Sequence, residues 1–152
     1  MKKFKMKHLF LVAVLLTARI LMAQEISFRI DHYSMVVKDL EKTGDFYASV
    51  LGLRDIPHPT RAEGFRWFTI DGVAQLHLIR KDNILGTRSK SEHLCLSTPD
   101  LEEFIGTLQK KSIPYWDWLG HPGQVTLRAD GVRQIYLQDP EGNWIEVNDA
   151  GP

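Results

Sequence analysis

One phrase is written twice in this chain. Residues 31–42 read DHYSMVVKDLEK, and residues 92–103 read EHLCLSTPDLEE. In both, an acidic residue precedes a histidine, and Asp-Leu-Glu begins seven positions after that histidine. The offset is constant at 61: His32 and His93, Asp39 and Asp100, Leu40 and Leu101, Glu41 and Glu102. Self-similarity at a fixed spacing means that one supersecondary unit is used twice. Two such units are expected to pair about a pseudo-twofold axis.

The rest of each half supports a β-α-β-β-β unit. Residues 27–37 alternate and are rich in Ile, Tyr and Val, which reads as a strand. Asp39 can cap a helix whose apolar positions Leu40, Phe46, Tyr47, Val50 and Leu51 share one face, with Gly52 ending it. A short strand near 53–56 precedes the prolines. Residues 65–70 and 73–80 read as strands joined at Asp71-Gly72, a hairpin signal. In the second half, 92–97 reads as a strand, and Asp100 caps a helix carrying Leu101, Phe104, Ile105 and Leu108. Residues 113–116 suggest a short strand. Residues 132–138 and 143–148 form a hairpin around Asp139-Pro140-Glu141-Gly142. The units are therefore 27–80 and 91–149, joined by a polar connector over 81–91. His32 matches His93, and His77 matches Glu146.

Residues 1–23 stand apart. MKKFKMKH is basic, LFLVAVLLTA is a ten-residue apolar run, and a short-residue region ends at Ala23. That order is the order of a secretory signal, and the run is short for a membrane span. The expectation is export to the periplasm or beyond, with no stable membrane insertion after cleavage. The remaining residues 24–152 are one domain by length. Cys95 is the only cysteine, so no intrachain disulfide can form. The chain has 19 basic and 19 acidic residues, and six of the basic ones lie in or near the signal. The mature part is mildly acidic, which argues against nucleic acid as a partner.

Alternation decides where the polar strand residues point. Leu76 and Leu78 oppose Gln75, His77 and Ile79. Ile145 and Val147 oppose Trp144, Glu146 and Asn148. Leu94 and Leu96 oppose His93, Cys95 and Ser97. The aliphatic face goes beneath the helices. The other face carries His77, His93 and Glu146, and symmetry puts His32 with them. Imidazole and carboxylate suit a divalent ion such as Zn²⁺, Ni²⁺, Mn²⁺ or Fe²⁺. No local metal-binding motif is present, so this reading depends on the duplication. Gln75, Gln134, Tyr136 and Trp144 share the same face and are candidate substrate contacts.

With these residues in place, the chain resembles the vicinal oxygen chelate superfamily: glyoxalase I, fosfomycin-resistance thiol transferases, extradiol dioxygenases and methylmalonyl-CoA epimerase. The matching segments are DHYSMVVKDLEKTGDFYASVLGL, QLHLI, EHLCLSTPDLEEF and YLQDPEGNWIEVND, spread over residues 31–149. The resemblance implies an α+β fold in which two tandem βαβββ modules pair into a curved, partly open barrel-like sheet with helices outside. It implies one divalent metal held by His32, His93 and Glu146. His77 stands where glyoxalase I has a glutamate, and would be a fourth ligand or an adjacent acid/base. His77 and Glu146 are then the candidate catalytic residues.

Three functions compete on this reading. The first is a divalent-metal-dependent lyase or isomerase that chelates a small oxygen-rich substrate through two oxygens. The second is an extradiol-type Fe(II) dioxygenase. The third is a ligand-sequestering protein like the bleomycin-resistance members, which needs no metal ligands and is therefore disfavoured. Export separates the chain from glutathione and similar cytoplasmic thiols. A homodimer that shares its metal sites between subunits is expected, because the connector is long enough to cross to a partner. Cys95 reads as a small buried filler, His58 and His121 as solvated loop residues, and Trp67, Trp116 and Trp118 as core or dimer-contact aromatics. Arg61, Arg66, Arg88 and Arg133 could grip an anionic substrate.

Overall fold

A computed structural model describes residues 27–84 and 86–151. The expected signal over 1–23 lies outside the described residues. Ten elements follow one another: β1 (His32–Val37), α1 (Leu40–Ser49), β2 (Arg54–Ile56), β3 (Phe65–Ile70), β4 (Ala74–Arg80), β5 (His93–Ser97), α2 (Leu101–Lys110), β6 (Thr126–Leu127), β7 (Arg133–Gln138) and β8 (Trp144–Asn148). The strand order is β1-β4-β3-β2 in one sheet and β5-β8-β7-β6 in the other. The two orders are the same order. β1 runs parallel to β4 and β5 parallel to β8, while the remaining pairs are antiparallel.

The expected curved, barrel-like sheet does not form. The structure has two separate four-stranded mixed sheets, and neither closes on itself. Each unit satisfies its own ladders, so β1 and β5 are left as edges, and no described strand of one sheet is laddered to the other. The short strand expected over 113–116 is also absent. Trp116 makes only isolated bridges to Tyr136 and Pro122, and Thr126–Leu127 takes the edge beside β7. Pro114 has no N–H to give a ladder, which disfavours a strand there.

Both helices start as the sequence suggests. Asp39 accepts from the Lys42 N–H at 2.9 Å, and Asp100 accepts from the Glu103 N–H at 2.8 Å. The first helix packs on β3 and β4, and the second buries Leu101, Ile105 and Leu108. Val37, Tyr47, Phe68, Leu76 and Leu78 in the first unit and Leu101, Leu108, Ile135, Leu137 and Ile145 in the second belong to one hydrophobic core.

The units are tied by the turn between β7 and β8. Asp139 accepts from the backbone N–H groups of Glu141 and Asn143, both at 2.9 Å, and Gly142 takes φ 79° to close the turn. The same carboxylate receives the Tyr47 hydroxyl at 3.2 Å from α1. Burial raises the Asp139 carboxyl above its usual value, and the Asn143, Glu141 and Tyr47 hydrogen bonds counter part of that rise. Glu141 reaches the other way and accepts from the N–H groups of Lys38 and Asp39 at 3.0 and 2.8 Å. An acidic side chain thus meets the open N–H groups at the start of α1. Among the described residues, no helix is long and apolar enough to cross a membrane.

Candidate functional site

In the second unit, strand pairing gathers a polar cluster. Cys95 and Tyr136 both flank Glu146, and Gln134 flanks Asn148. Flanking residues project from the same face of a sheet, so β5, β7 and β8 deliver their polar side chains to one place. Glu146 is buried, at 6 % exposure. Its carboxylate accepts from the Tyr136 hydroxyl at 2.5 Å, the Asn148 amide at 2.9 Å and the Cys95 thiol at 3.3 Å. Gln134 donates in turn to the Tyr136 hydroxyl. Burial works against ionisation of Glu146. The hydrogen bonds from Tyr136, Asn148 and Cys95 and the nearby His93 outweigh it, and the carboxyl sits below its usual value. Desolvation of the sulfur and the contact with Glu146 push the Cys95 thiol up to about 12. Cys95 is therefore a neutral donor at ambient pH.

His93 completes this cluster. Its Nδ1 lies 2.7 Å from the Lys90 carbonyl oxygen. A carbonyl only accepts, so Nδ1 carries a proton and a neutral ring keeps its lone pair on Nε2. That Nε2 lies 3.3 Å from Glu146 Oε2. Two acceptors then face each other unless a proton or a cation lies between them. The arrangement fits half of a metal site.

The first unit gathers rings instead. His32 lies beside Gln75 and Ser34 beside His77 in the β1–β4 ladder, and Trp67 flanks His77 from β3. His77 is stacked on both sides, on Trp67 with centroids 3.7 Å apart and on His32 at 4.4 Å. His58 meets Trp67 edge-on at 4.5 Å. His77 donates Nε2–H to Gln75 Oε1 at 2.8 Å, which leaves the lone pair on Nδ1. Burial and then His32 hold the His77 imidazole below its usual value, with Asp31 pulling the other way. Asp31 itself accepts from His32 Nδ1 at 2.7 Å.

The four residues expected to share one ion are thus present as two pairs. Among the described residues, no group of three or more His, Cys, Asp or Glu side chains is close enough to hold a metal ion. The donor chemistry suits a divalent ion, but one chain does not assemble the set. A cleft of about 580 Å³ does run between the units, lined by Leu51, Leu53 and Ile70 on one side and Leu96, Phe104 and Val147 on the other. Its lining includes Cys95 but none of the four.

Of the other candidates, Gln75, Gln134 and Tyr136 each hold a neighbouring site residue, and Trp144 meets Trp116 edge-on at 5.7 Å. Cys95 is exposed rather than a buried filler. Arg66 is occupied by Asp45 and Asp55, and Arg133 by Asp149 and Glu102, so neither is free to grip a substrate. Sequence reading missed three residues. Asn148 shares the parity of Glu146, a signal already present in the alternation. Trp67 needed the β3–β4 register. Lys90 lies in the connector, where no periodicity marks it.

Comparison with known proteins points one way. The family described as the Glyoxalase/Bleomycin resistance protein/Dioxygenase superfamily matches residues 29–147. An uncharacterised protein of Bacillus subtilis strain 168, YwbC, is 27% identical over 124 residues, covering 78% of this chain and 94% of its own. A glyoxalase family protein from Bacillus anthracis superposes with a TM-score of 0.69 at 23% identity, covering 85% of this chain and 100% of that one. A lactoylglutathione lyase from Agrobacterium tumefaciens does so with 0.63 at 20% identity, covering 82% and 96%. At these identities the solved structures speak for the fold alone.

Proposed function

Since the chain belongs to the Glyoxalase/Bleomycin resistance protein/Dioxygenase superfamily, we propose that it is a divalent-metal-dependent lyase or isomerase acting on a small oxygen-rich molecule. The observation that carries this is His93 Nε2 aimed at Glu146 Oε2 across 3.3 Å, with the opposite ring nitrogen committed to a carbonyl. Such a pair is prepared for an ion. In our reading, His93 and Glu146 of one copy are completed by His32 and His77 of a second copy in a homodimer. The free edges of β1 and β5 support that pairing. When bound, the ion would act as a Lewis acid toward two neighbouring substrate oxygens.

The chain's own residues do the rest. Tyr136, Asn148 and Cys95 hold the Glu146 carboxylate in place. His77, kept neutral by burial and by His32, offers its one remaining lone pair, on Nδ1, to the ion, while Gln75 fixes the ring; outside the coordination sphere that lone pair would accept a proton instead. Trp67 shields one ring face from water. The Gln75 bond also favours a second reading. If His77 stays outside the coordination sphere, His32, His93 and Glu146 form a two-histidine, one-carboxylate set, which suits an Fe(II) dioxygenase. Export through residues 1–23 to the periplasm or beyond is part of the proposal. Intact mass of the protein from its native host tests it, and a full-length cytosolic species overturns it.

Metal analysis of the purified chain tests the site. Wild type is expected to carry one divalent ion per chain, and His32→Ala and Glu146→Ala to lose it. Mixing the two variants regenerates one intact site per heterodimer if the site is shared. A sedimenting monomer that still holds metal overturns the shared arrangement.

A further inference from the structure

The connector between the units carries a lysine that is fixed at both ends. Lys90 Nζ donates to the carbonyl oxygens of Asp117 at 3.1 Å and Trp118 at 2.5 Å. Three rings surround the same ammonium. The centroids of Trp118, Tyr136 and Trp144 lie 5.4, 5.3 and 5.5 Å from Nζ. Each is within the range at which an aromatic face attracts a cation. The three rings form an aromatic cage, and its occupant is the chain's own side chain. Trp118 and Tyr136 also contact each other, with centroids 5.6 Å apart.

The other end of this residue meets the candidate site. The Lys90 carbonyl accepts Nδ1–H of His93 at 2.7 Å, three residues along the chain. A neighbouring turn, in which Glu92 N donates to Ser89 O at 3.0 Å, gives that carbonyl its local path. The turn alone does not anchor the connector to the sheet. The ammonium does, because both its carbonyl partners and all three rings belong to the body of the second unit.

We propose that Lys90 is a positioning residue for His93. Seated in the cage of Trp118, Tyr136 and Trp144, its ammonium pins the connector so that its carbonyl holds His93 Nδ1–H and leaves the Nε2 lone pair toward Glu146. The inference rests on the assignment of His93 to the functional site. Partners of this kind on a ligating histidine fix tautomer and ring orientation, and their loss costs roughly 10–100-fold in metal affinity. Tyr136 adds a second link. It walls the cage and also donates to Glu146 at 2.5 Å, so one ring sets both the lysine and the carboxylate.

The test reads the His93 ring directly in metal-free protein, by ¹⁵N chemical shifts at a pH where imidazole is neutral. Wild type is expected to show a single tautomer with the proton on Nδ1. Lys90→Met keeps the backbone carbonyl but removes the ammonium, and is expected to give a mixture with substantial Nε2–H. Lys90→Arg restores the wild-type pattern, since guanidinium serves both the carbonyls and the rings. Zn²⁺ titration by calorimetry should show about tenfold weaker binding for Lys90→Met and recovery in Lys90→Arg. Trp118 is 44% exposed, so Trp118→Leu removes one cage wall without opening the core and is expected to act in the same direction. It decides the matter if Lys90→Met does not fold. An unchanged His93 tautomer in the folded variant overturns the proposal. If wild type binds no Zn²⁺ but the tautomer shifts as expected, the metal assignment fails and the role of Lys90 stands.

Discussion

The first unit meets His77 with rings, and the second meets His93 with a carboxylate. His77 lies between Trp67 and His32, whereas Glu146, its counterpart, lies among Tyr136, Asn148 and Cys95. The backbones around the two are alike, with the same strand order and the same parallel pair. Duplication therefore copied a scaffold and left the chemistry free to diverge at its inward-facing polar positions. The difference is one of electrostatics. The first cluster offers ring nitrogens, and the second offers a fixed negative charge. An ion that needs both must draw on both units.

The largest effects should fall where the units are most alike. Leu76 precedes His77 and Ile145 precedes Glu146, and both are fully buried. Leu76→Ala and Ile145→Ala should each destabilise by about 2–5 kcal/mol, the usual cost of such a truncation in a packed core. Urea denaturation measures this. A loss in one variant with none in the other would mean that the units do not contribute to one core, against the single cluster they form.

At the polar positions the effects should diverge. Glu146→Ala removes the anionic member of the set and strands His93, so metal affinity should fall on the order of 100-fold, about 2.7 kcal/mol. His77→Ala removes a neutral group already bonded to Gln75, and a smaller loss of roughly tenfold is expected. Calorimetric titration ranks the two. Equal losses would mean that the ring-lined pair carries as much of the binding as the carboxylate.

Acidification separates the units in a second way. The folded chain holds His77 below its usual 6.5, so the unfolded chain binds the extra proton first. That unit should lose stability as pH falls below 6.5 toward the folded value. Glu146 is held below its usual 4.5, so its contribution is full above 4.5 and is lost as pH falls through the lower folded value. Melting temperatures across pH should show the first step flattened in His77→Phe and the second in Glu146→Gln. A single shared step unaffected by either substitution would break the assignment.

Much of this arrangement was legible in the sequence, and the reasons are physical. The 61-residue offset, the caps at Asp39 and Asp100 and the alternation around His77 and Glu146 are local signals, and each corresponds to an observed element or face. The link between Tyr47 and Asp139 was present only as two separate stretches of resemblance. Their hydrogen bond shows why both matter, since the turn of one unit secures the helix of the other. What the sequence could not tell was how the sheets meet. A barrel-like sheet needs ladders between units, and no alternation pattern reports which edge is left open. Trp67 and Lys90 escaped for a related reason. Their importance comes from cross-strand register and from a loop carbonyl, which exist only after folding.

The smallest expected difference concerns a clamp that was also duplicated. Arg66, near the start of β3, joins Asp45 at 2.8 Å and Glu41 at 3.5 Å on α1, while Arg133 opens β7 and joins Glu102 at 2.7 Å on α2. Glu41 and Glu102 are the repeated pair of the opening phrase. The clamps differ in burial, and the helix position that lies beneath each of them differs in residue. Gly44 lets the Arg66 side chain lie against α1, and a Cβ there would meet Arg66 Cδ at 2.5 Å. The matching residue in α2 is Ile105, and Arg133 stays 41% exposed against 18% for Arg66. An ion pair held away from solvent is screened less than one at the surface. Arg66→Met should therefore cost on the order of 1 kcal/mol, and Arg133→Met should cost less. Added salt should weaken the Arg133 clamp more than the Arg66 clamp. Urea midpoints for the two variants at low and high salt make the comparison. If Arg133→Met proves the more damaging of the two, burial over Gly44 is not what distinguishes the clamps.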